Sequence, residues 1–257
     1  METARCRVWP DWRNIGSRVI DVILPRHCYH CGVPLASTHA EGFCARCWST
    51  IRFIKAPYCP CCGEPFRSPL ALTYSPEFRC GACRANPPPF DRARAIGRYE
   101  GPLREAIHLL KYRGKIRLQQ PLLQLALAHF DTHFPGGAYE AIIPVPLHRA
   151  RLMRREFNQA ALLARGLARH LDIPVLEHLL VRVRSTRPQV ELSGRERRQN
   201  VRQAFAVTRP AALEHQRVLV VDDVFTTGAT LGEVARTLKG AGVARVDVFT
   251  LARVLPD

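Results

Sequence analysis

No run of roughly eighteen apolar residues occurs in the chain, which excludes a transmembrane helix. A signal-peptide apolar region is missing too: Arg5, Arg7, Asp11, Arg13, Arg18 and Asp21 interrupt the N-terminal apolar positions. A cytoplasmic location is therefore expected. Acids are scarce. Against 38 Lys and Arg stand 22 Asp and Glu, a formal net charge of +16. The basic residues are spread along the chain rather than gathered in a tail. Such an excess suits a polyanionic partner or an anionic substrate and identifies neither. At 257 residues and 47% hydrophobic content, the chain can bury one large core or two smaller ones.

The run from Val218 to Leu231 carries the most chemistry. Four apolar residues, Val218 to Val221, lead into Asp222 and Asp223. Val224 and Phe225 follow, and then the small residues Thr226, Thr227, Gly228, Ala229 and Thr230. The apolar run predicts a buried parallel strand, and the small residues a tight turn into a helix starting near Thr230. Such a turn aims backbone N–H groups at one point, and the helix N-terminus adds its positive dipole end. That is a phosphate cup. Two carboxylates beside it, at the carboxyl edge of an open α/β sheet, suit the 2′ and 3′ hydroxyls of a ribose 5-phosphate. No Gly-Lys-Ser/Thr follows, so this is not a Walker A loop.

Ten cysteines without a secretory signal point to metal rather than disulfides. Eight form four pairs at C-x2-C spacing: Cys28/Cys31, Cys44/Cys47, Cys59/Cys62 and Cys80/Cys83. Each pair can form a knuckle presenting two thiolates, and two knuckles complete a tetrahedral zinc site. Two zinc ions are expected. Sequential grouping of the pairs makes compact local loops; a cross-braced grouping is the alternative. Gly32 and Gly63 follow two of the knuckles, as tight knuckle turns require. Cys6 and Cys61 are read as non-ligands. With eight thiolates and two zincs, the formal charge falls to about +12.

Three regions follow. Residues 1–24 predict an amphipathic helix with Ile15, Val19, Ile20, Val22 and Ile23 on its apolar face, suited to packing on the zinc region. Its charges of mixed sign argue against a membrane-surface role. Residues 25–86 form the zinc region, where metal replaces much of the core. The stiff stretch Asn86-Pro87-Pro88-Pro89 separates it from an α/β region over 87–257. There, strands are expected at 93–99, 141–145, 217–221 and 245–251, and helices at 102–111, 118–130, 158–171 and 230–239. This alternation means a mostly parallel sheet flanked by helices.

The Val218–Leu231 run closely resembles the PRPP-binding motif of type I phosphoribosyltransferases (PRPP is 5-phosphoribosyl 1-pyrophosphate). The usual pattern has an aliphatic residue where Phe225 stands. The order of four cysteine pairs, Pro-rich linker and C-terminal phosphoribosyl motif resembles the ComF family. The likeness extends to Leu110-Lys111-Tyr112-Arg113-Gly114, Val145-Pro146-Leu147, Arg154-Arg155-Glu156-Phe157-Asn158-Gln159, Arg187-x-Gln189-x-x-Leu192, Arg197-x-x-Asn200 and Ala204-Phe205. In the family a glycine usually stands at the position of Glu156, so an altered turn and an added negative charge are expected beside the implied anion site.

The resemblance implies a type I phosphoribosyltransferase-like α/β domain behind a double zinc ribbon. It implies PRPP binding by Asp222, Asp223 and Thr226 to Thr230, with Mg2+ bridging the pyrophosphate and the ribose hydroxyls. It also implies a pyrophosphate loop after Val145 and an arginine-rich flexible loop over 182–202. Arginines at 149, 151, 154 and 155 lie near the first of these, and some could reach phosphate. Lys111 and Tyr112 close a helix, where complementing the helix dipole is the default role of the lysine. No residue stands out as a base for activating a nucleobase.

Three functions fit. One is the handling of incoming single-stranded DNA during natural transformation, beside the DNA-uptake machinery, as the family implies. A second is a phosphoribosyltransferase that acts on an unknown small acceptor and releases pyrophosphate. The third is a PRPP-sensing regulator. Trp48, Phe53, Tyr58 and Phe66 could stack on bases or pack a small core.

Overall fold

The computed structural model describes residues 26–35, 42–68, 70–73, 75–136, 138–185, 194–214 and 216–255. The helix expected over 1–24, Cys6, and Arg187, Gln189 and Leu192 lie outside the described residues. Two compact units divide the chain, residues 1–50 and 51–257.

In the first unit, Cys28 to Val33 make a knuckle. The Cys28 N–H donates to Val33 O (2.8 Å), the Gly32 N–H to Cys28 O (2.8 Å), and Gly32 sits at φ +72°. A short helix over Ala45–Trp48 follows, with the Cys44 sulfur accepting from the Cys47 N–H at its start.

The second unit repeats the knuckle with the same bonds, Cys59 N–H to Glu64 O (2.8 Å) and Gly63 N–H to Cys59 O (2.9 Å). Gly63 has φ +72°, and a Cβ there would lie 2.6 Å from the Ala93 carbonyl oxygen, so only glycine fits. A short helix over Gly81–Ala85 carries the last cysteine of the group.

Four parallel strands form the main sheet in the order β1-β6-β5-β2: β1 Arg92–Arg98, β2 Ala141–Pro144, β5 Arg217–Phe225 and β6 Arg245–Arg253. The central pair is apolar on both faces because helices cover both faces of a parallel sheet. Val218 to Val221 and Val246, Val248 and Phe249 are fully buried. Helices α1 (Gly101–Tyr112), α2 (Gln119–His133), α4 (Gln159–Leu171) and α6 (Ala229–Gly240) supply the layers. Each packs by an apolar stripe at helical spacing, such as Leu103, Ala106, Ile107 and Leu110 on α1. Buried Asp247 is neutralised by Arg92 (2.9 Å) and Arg245 (3.1 Å) and accepts a hydrogen bond from Tyr139 (2.8 Å).

Both edges of this sheet are covered. Beside β1, the Ile54 N–H donates to Ile96 O (2.8 Å) and the Arg98 N–H to Arg52 O (2.9 Å). Beside β2, Ile142 exchanges bonds with Pro174 O (2.9 Å) and the Leu176 N–H (2.8 Å).

Three elements lie outside the expected pattern. A helix α3 spans Arg149–Arg155 with no buried residue. Strands β3 (Leu180–Arg182) and β4 (Phe205–Val207) pair antiparallel, and helix α5 (Gly194–Val201) lies between them in the chain. The described parts of 182–202 therefore include the end of β3 and helix α5. The motif strand also runs further than its apolar stretch. Asp222 pairs with Thr250 and Phe225 with Arg253, so β6 carries β5 through both acids.

Candidate functional site

Strand β5 ends at Phe225, and the turn Thr226-Thr227-Gly228 delivers the chain into α6. Gly228 adopts φ +74° at the helix N-cap, and a Cβ there would meet the Phe225 ring at 2.7 Å. Glycine is required for both reasons. The Gly232 N–H closes the first helical turn onto Gly228 O (2.7 Å), while the Ala229 N–H leans on the Thr227 hydroxyl (3.4 Å). The expected turn and helix start are thus observed, with the helix beginning at Ala229.

Asp222 and Asp223 stand at the mouth of this turn. The Asp223 N–H donates to Asp222 Oδ1 (2.9 Å). Lys111, from the last turn of α1, places Nζ 2.7 Å from Asp223 Oδ2. The lysine is thus an ion-pair partner of the motif, a role beyond complementing its own helix dipole. Burial and the neighbouring Asp223 charge push the Asp222 carboxyl up to about 7, against the opposing pull of Lys111 and Arg182. Burial tends to lower the pKa of the Lys111 ammonium, but Asp223 and Asp222 outweigh it and the net shift is upward.

Around the acids opens a cleft of about 260 Å³. Its other ionic groups are all cations: Lys111, Arg151, Arg154, Arg155 and Arg182. Burial and nearby Arg151 lower the Arg182 guanidinium to about 10, so gathering these charges has a cost that an anion would relieve. Tyr112 lies under the Arg155 guanidinium, 4.8 Å from ring centre to Cζ.

The segment after β2 is pinned by Asn158. Its side-chain amide donates to Val145 O (3.0 Å), and its Oδ1 caps α4 by accepting from the Ala160 N–H (3.1 Å). Gln159 is buried, accepts from Arg155 (3.4 Å), and keeps a buried Nε2 with no hydrogen-bond partner among the described residues. Glu156 sits at φ +67° at the end of α3. It keeps the left-handed turn that a glycine takes without strain, at a cost of roughly 1–2 kcal/mol. His148 caps the other end of α3 through Nδ1 (3.4 Å).

The eight paired cysteines gather into two sequential groups, Cys28/Cys31/Cys44/Cys47 and Cys59/Cys62/Cys80/Cys83, the sulfurs of each within 4.8 Å of one another. Four thiols at this separation fit one tetrahedral zinc. Backbone N–H groups already point at sulfur: Cys44 N–H at Cys28 (3.3 Å) and Cys80 N–H at Cys59 (3.4 Å). For Cys28, burial raises the thiol pKa, but N–H donors from Cys31, Cys44 and His30 outweigh it and bring it down to about 6. Cys59 is held at about 4, chiefly by the hydrogen bond from the Cys62 thiol. Cys61 is buried outside its group, and burial pushes its thiol pKa up. The nine described cysteines form no disulfide.

The four aromatic residues considered for stacking, Trp48, Phe53, Tyr58 and Phe66, have ring or cation partners inside the protein. Phe53 meets His129 (4.3 Å), Phe66 meets Phe78 (5.8 Å), Trp48 meets Phe43 (5.4 Å), and Tyr58 lies under Arg94 (4.5 Å). Among the described residues no helix is long and apolar enough to cross a membrane.

Fold and site together define a phosphoribosyltransferase-type domain joined to tetrathiolate ribbons, and the comparisons with known proteins agree. Residues 19–84 match the double zinc ribbon domain, and residues 158–255 match the phosphoribosyl transferase domain. The chain is 37% identical to Competence protein F of Haemophilus influenzae over 88% of this chain and 96% of that one. It is 35% identical to DNA utilization protein YhgH of Salmonella typhi, covering 90% and 99%. Competence protein ComFC of Bacillus subtilis is 28% identical, covering 83% and 85%. The chain belongs to the ComF family. The double zinc ribbon and the two cysteine groups support structural zinc.

Proposed function

We propose that the cleft binds PRPP and that the protein handles single-stranded DNA during DNA uptake in the cytoplasm. One observation carries the first half: a carboxylate pair ends at a glycine-turned helix N-terminus, in a cleft whose remaining charges are all positive. In this reading the turn Thr226–Thr230 takes the 5-phosphate. Asp222 and Asp223 take the ribose hydroxyls and would face the Mg2+ that accompanies PRPP, which would supply charge neutralisation for the pyrophosphate. Arg151, Arg154, Arg155 and Arg182 screen the pyrophosphate. Support for the DNA half comes from relatives named for competence and DNA utilization and from the net charge of +16.

Calorimetry tests the site. Asp223→Ala should weaken PRPP–Mg2+ binding by more than about tenfold, since a charge-assisted hydrogen bond contributes roughly 1.5–3 kcal/mol. Unchanged affinity in a folded variant would refute it.

A phosphoribosyltransferase acting on a small acceptor is the second reading. A neighbouring cleft of about 920 Å³ favours it, because it shares Pro146, Leu147, Asn158 and Arg182 with the charged one. An acceptor seated there would lie next to the phosphoribosyl group. Pyrophosphate release from PRPP, measured with a nucleobase panel and with single-stranded DNA, separates the two readings.

A further inference from the structure

The second cysteine group and the phosphate cup are joined by two buried residues, Arg253 and Phe225. Arg253, the last residue of β6, is 7% exposed. Its Nη1 donates to Cys62 O (2.6 Å), and its Nη2 lies 3.8 Å from Cys62 Sγ and 3.4 Å from Glu64 Oε2. The same guanidinium lies over the Phe225 ring at 4.3 Å. Phe225 is Arg253's register partner across the sheet, is 5% exposed, and ends β5 immediately before the turn. The tip of its ring crowds Gly228, where an added methyl group would lie 2.7 Å from Cζ. The backbone is tied as well, through the Val254 N–H to Phe225 O (2.9 Å). A movement of the Cys62 loop therefore shifts a guanidinium, an aromatic ring and the cup in turn, through closely packed contacts.

Electrostatics gives the linkage a direction. A zinc held by four thiolates carries about two negative charges. All four cysteines of this group are buried, and two buried arginines face them: Arg253, and Arg94, whose Nη1 donates to Pro60 O (3.0 Å). With metal bound, Arg253 is drawn to the knuckle. Once the metal is gone, nothing holds the four sulfurs together, and the Cys62 loop to which Arg253 is bonded loses its fixed position.

We propose that Arg253 is a positioning residue that couples the second cysteine group to the ligand cup, so that metal in Cys59/Cys62/Cys80/Cys83 sets the cup's affinity for a phosphoribosyl ligand. The inference rests on the reading of the cleft as a phosphoribosyl site. It gives Phe225 a role that an aliphatic residue could not fill, since only a ring offers a face to a guanidinium.

Linkage makes the coupling reciprocal: whatever metal does for the ligand, the ligand does for metal. The test uses the full zinc-loaded chain. Zinc release to a chromogenic chelator is followed with and without saturating PRPP–Mg2+, beside direct PRPP titration, for wild type, Arg253→Met and Phe225→Leu. In wild type, ligand should slow the release of one zinc, and removing that zinc should weaken PRPP binding by about 5–150-fold. In Phe225→Leu, which keeps the bonds from Arg253 to Cys62, release should no longer respond to ligand. Arg253→Met should weaken PRPP binding and release the second zinc faster. If Arg253→Met does not fold, the Phe225→Leu and wild-type results decide the matter. Ligand-independent zinc release in wild type that binds PRPP would overturn the coupling and leave the site intact. Absence of PRPP binding in zinc-loaded wild type would overturn the site itself.

Discussion

Asp222 should act as a pH gate on ligand binding. Its folded pKa of about 7 stands well above the ordinary carboxyl value of 3.8, so the fold favours the protonated acid. The stability it contributes is complete below about pH 3.8 and is lost as pH rises through about 7. A ligand that needs the ionised form sees the opposite trend. About a tenth of the sites are ionised one unit below the pKa and about nine tenths one unit above, so affinity should rise about tenfold between pH 6 and pH 8. The ligand's own phosphate also titrates near pH 6, and Asp222→Asn serves as the control because only the ligand's titration remains. The wild-type to variant affinity ratio, from calorimetry at pH 6, 7 and 8, should therefore climb about tenfold. Thermal melts supply an independent check: without ligand, Asp222→Asn should melt higher than wild type at pH 8, and the gap should close towards pH 5. A flat affinity ratio together with a pH-independent melting difference would show that Asp222 is ionised throughout, and the argument from burial beside Asp223 would fail.

Elemental analysis should find two zincs per chain, and a chelator should remove them in two phases. The group with exposed Cys31 and half-buried Cys44 should empty before the fully buried one; a single zinc, or one uniform phase, would contradict this. Gly228→Ala should lower stability by about 1–2 kcal/mol in urea unfolding, from left-handed strain alone, and more if Phe225 cannot yield. An unchanged midpoint would show that the turn is not as drawn. Single-stranded DNA should bind with little sequence preference, and affinity should fall with salt at a log–log slope of about −0.7 per phosphate contact. Charge reversal at Arg195, Arg197 and Arg198 should flatten that slope, and absence of binding at low salt would leave the small-acceptor enzyme as the better account.

Much of the architecture was legible because it is written in periodicity. Helices α1, α4 and α6 and all four parallel strands carry apolar patterns long enough to declare themselves, and each is observed within a few residues of its expected limits. The elements that escaped lack that signal. Helix α3 reads Arg-Ala-Arg-Leu-Met-Arg-Arg and buries nothing, so it has no stripe to detect. Strands β3 and β4 are three residues each, too short for alternation to register. The end of β5 was placed too early because two acids look like a stop, and only pairing to Thr250 and Ala252 carries them on. At the site, the turn and acids were readable from their own run. The partnership of Lys111 with Asp223 spans more than a hundred residues, and nothing local announces it. Asn158 and Gln159 belonged to a motif noticed for its likeness to the family, but their work as pin and cleft wall depends on where Val145 and Arg155 fall.

The strip 52–54 that lies along β1 places a limit on how this protein can be divided. The proline stretch at 87–89 looks like a place to cut, yet the residues that satisfy the outer backbone groups of β1 come from before it. A chain begun at Pro87 would carry a parallel sheet whose β1 edge has its backbone N–H and C=O groups laid bare, a template for pairing with other copies of itself. Such a fragment should aggregate through strand addition rather than behave as a smaller version of the domain. The ribbon segment thus acts as a guard on the sheet's margin, and the sheet's solubility depends on chain synthesised before it.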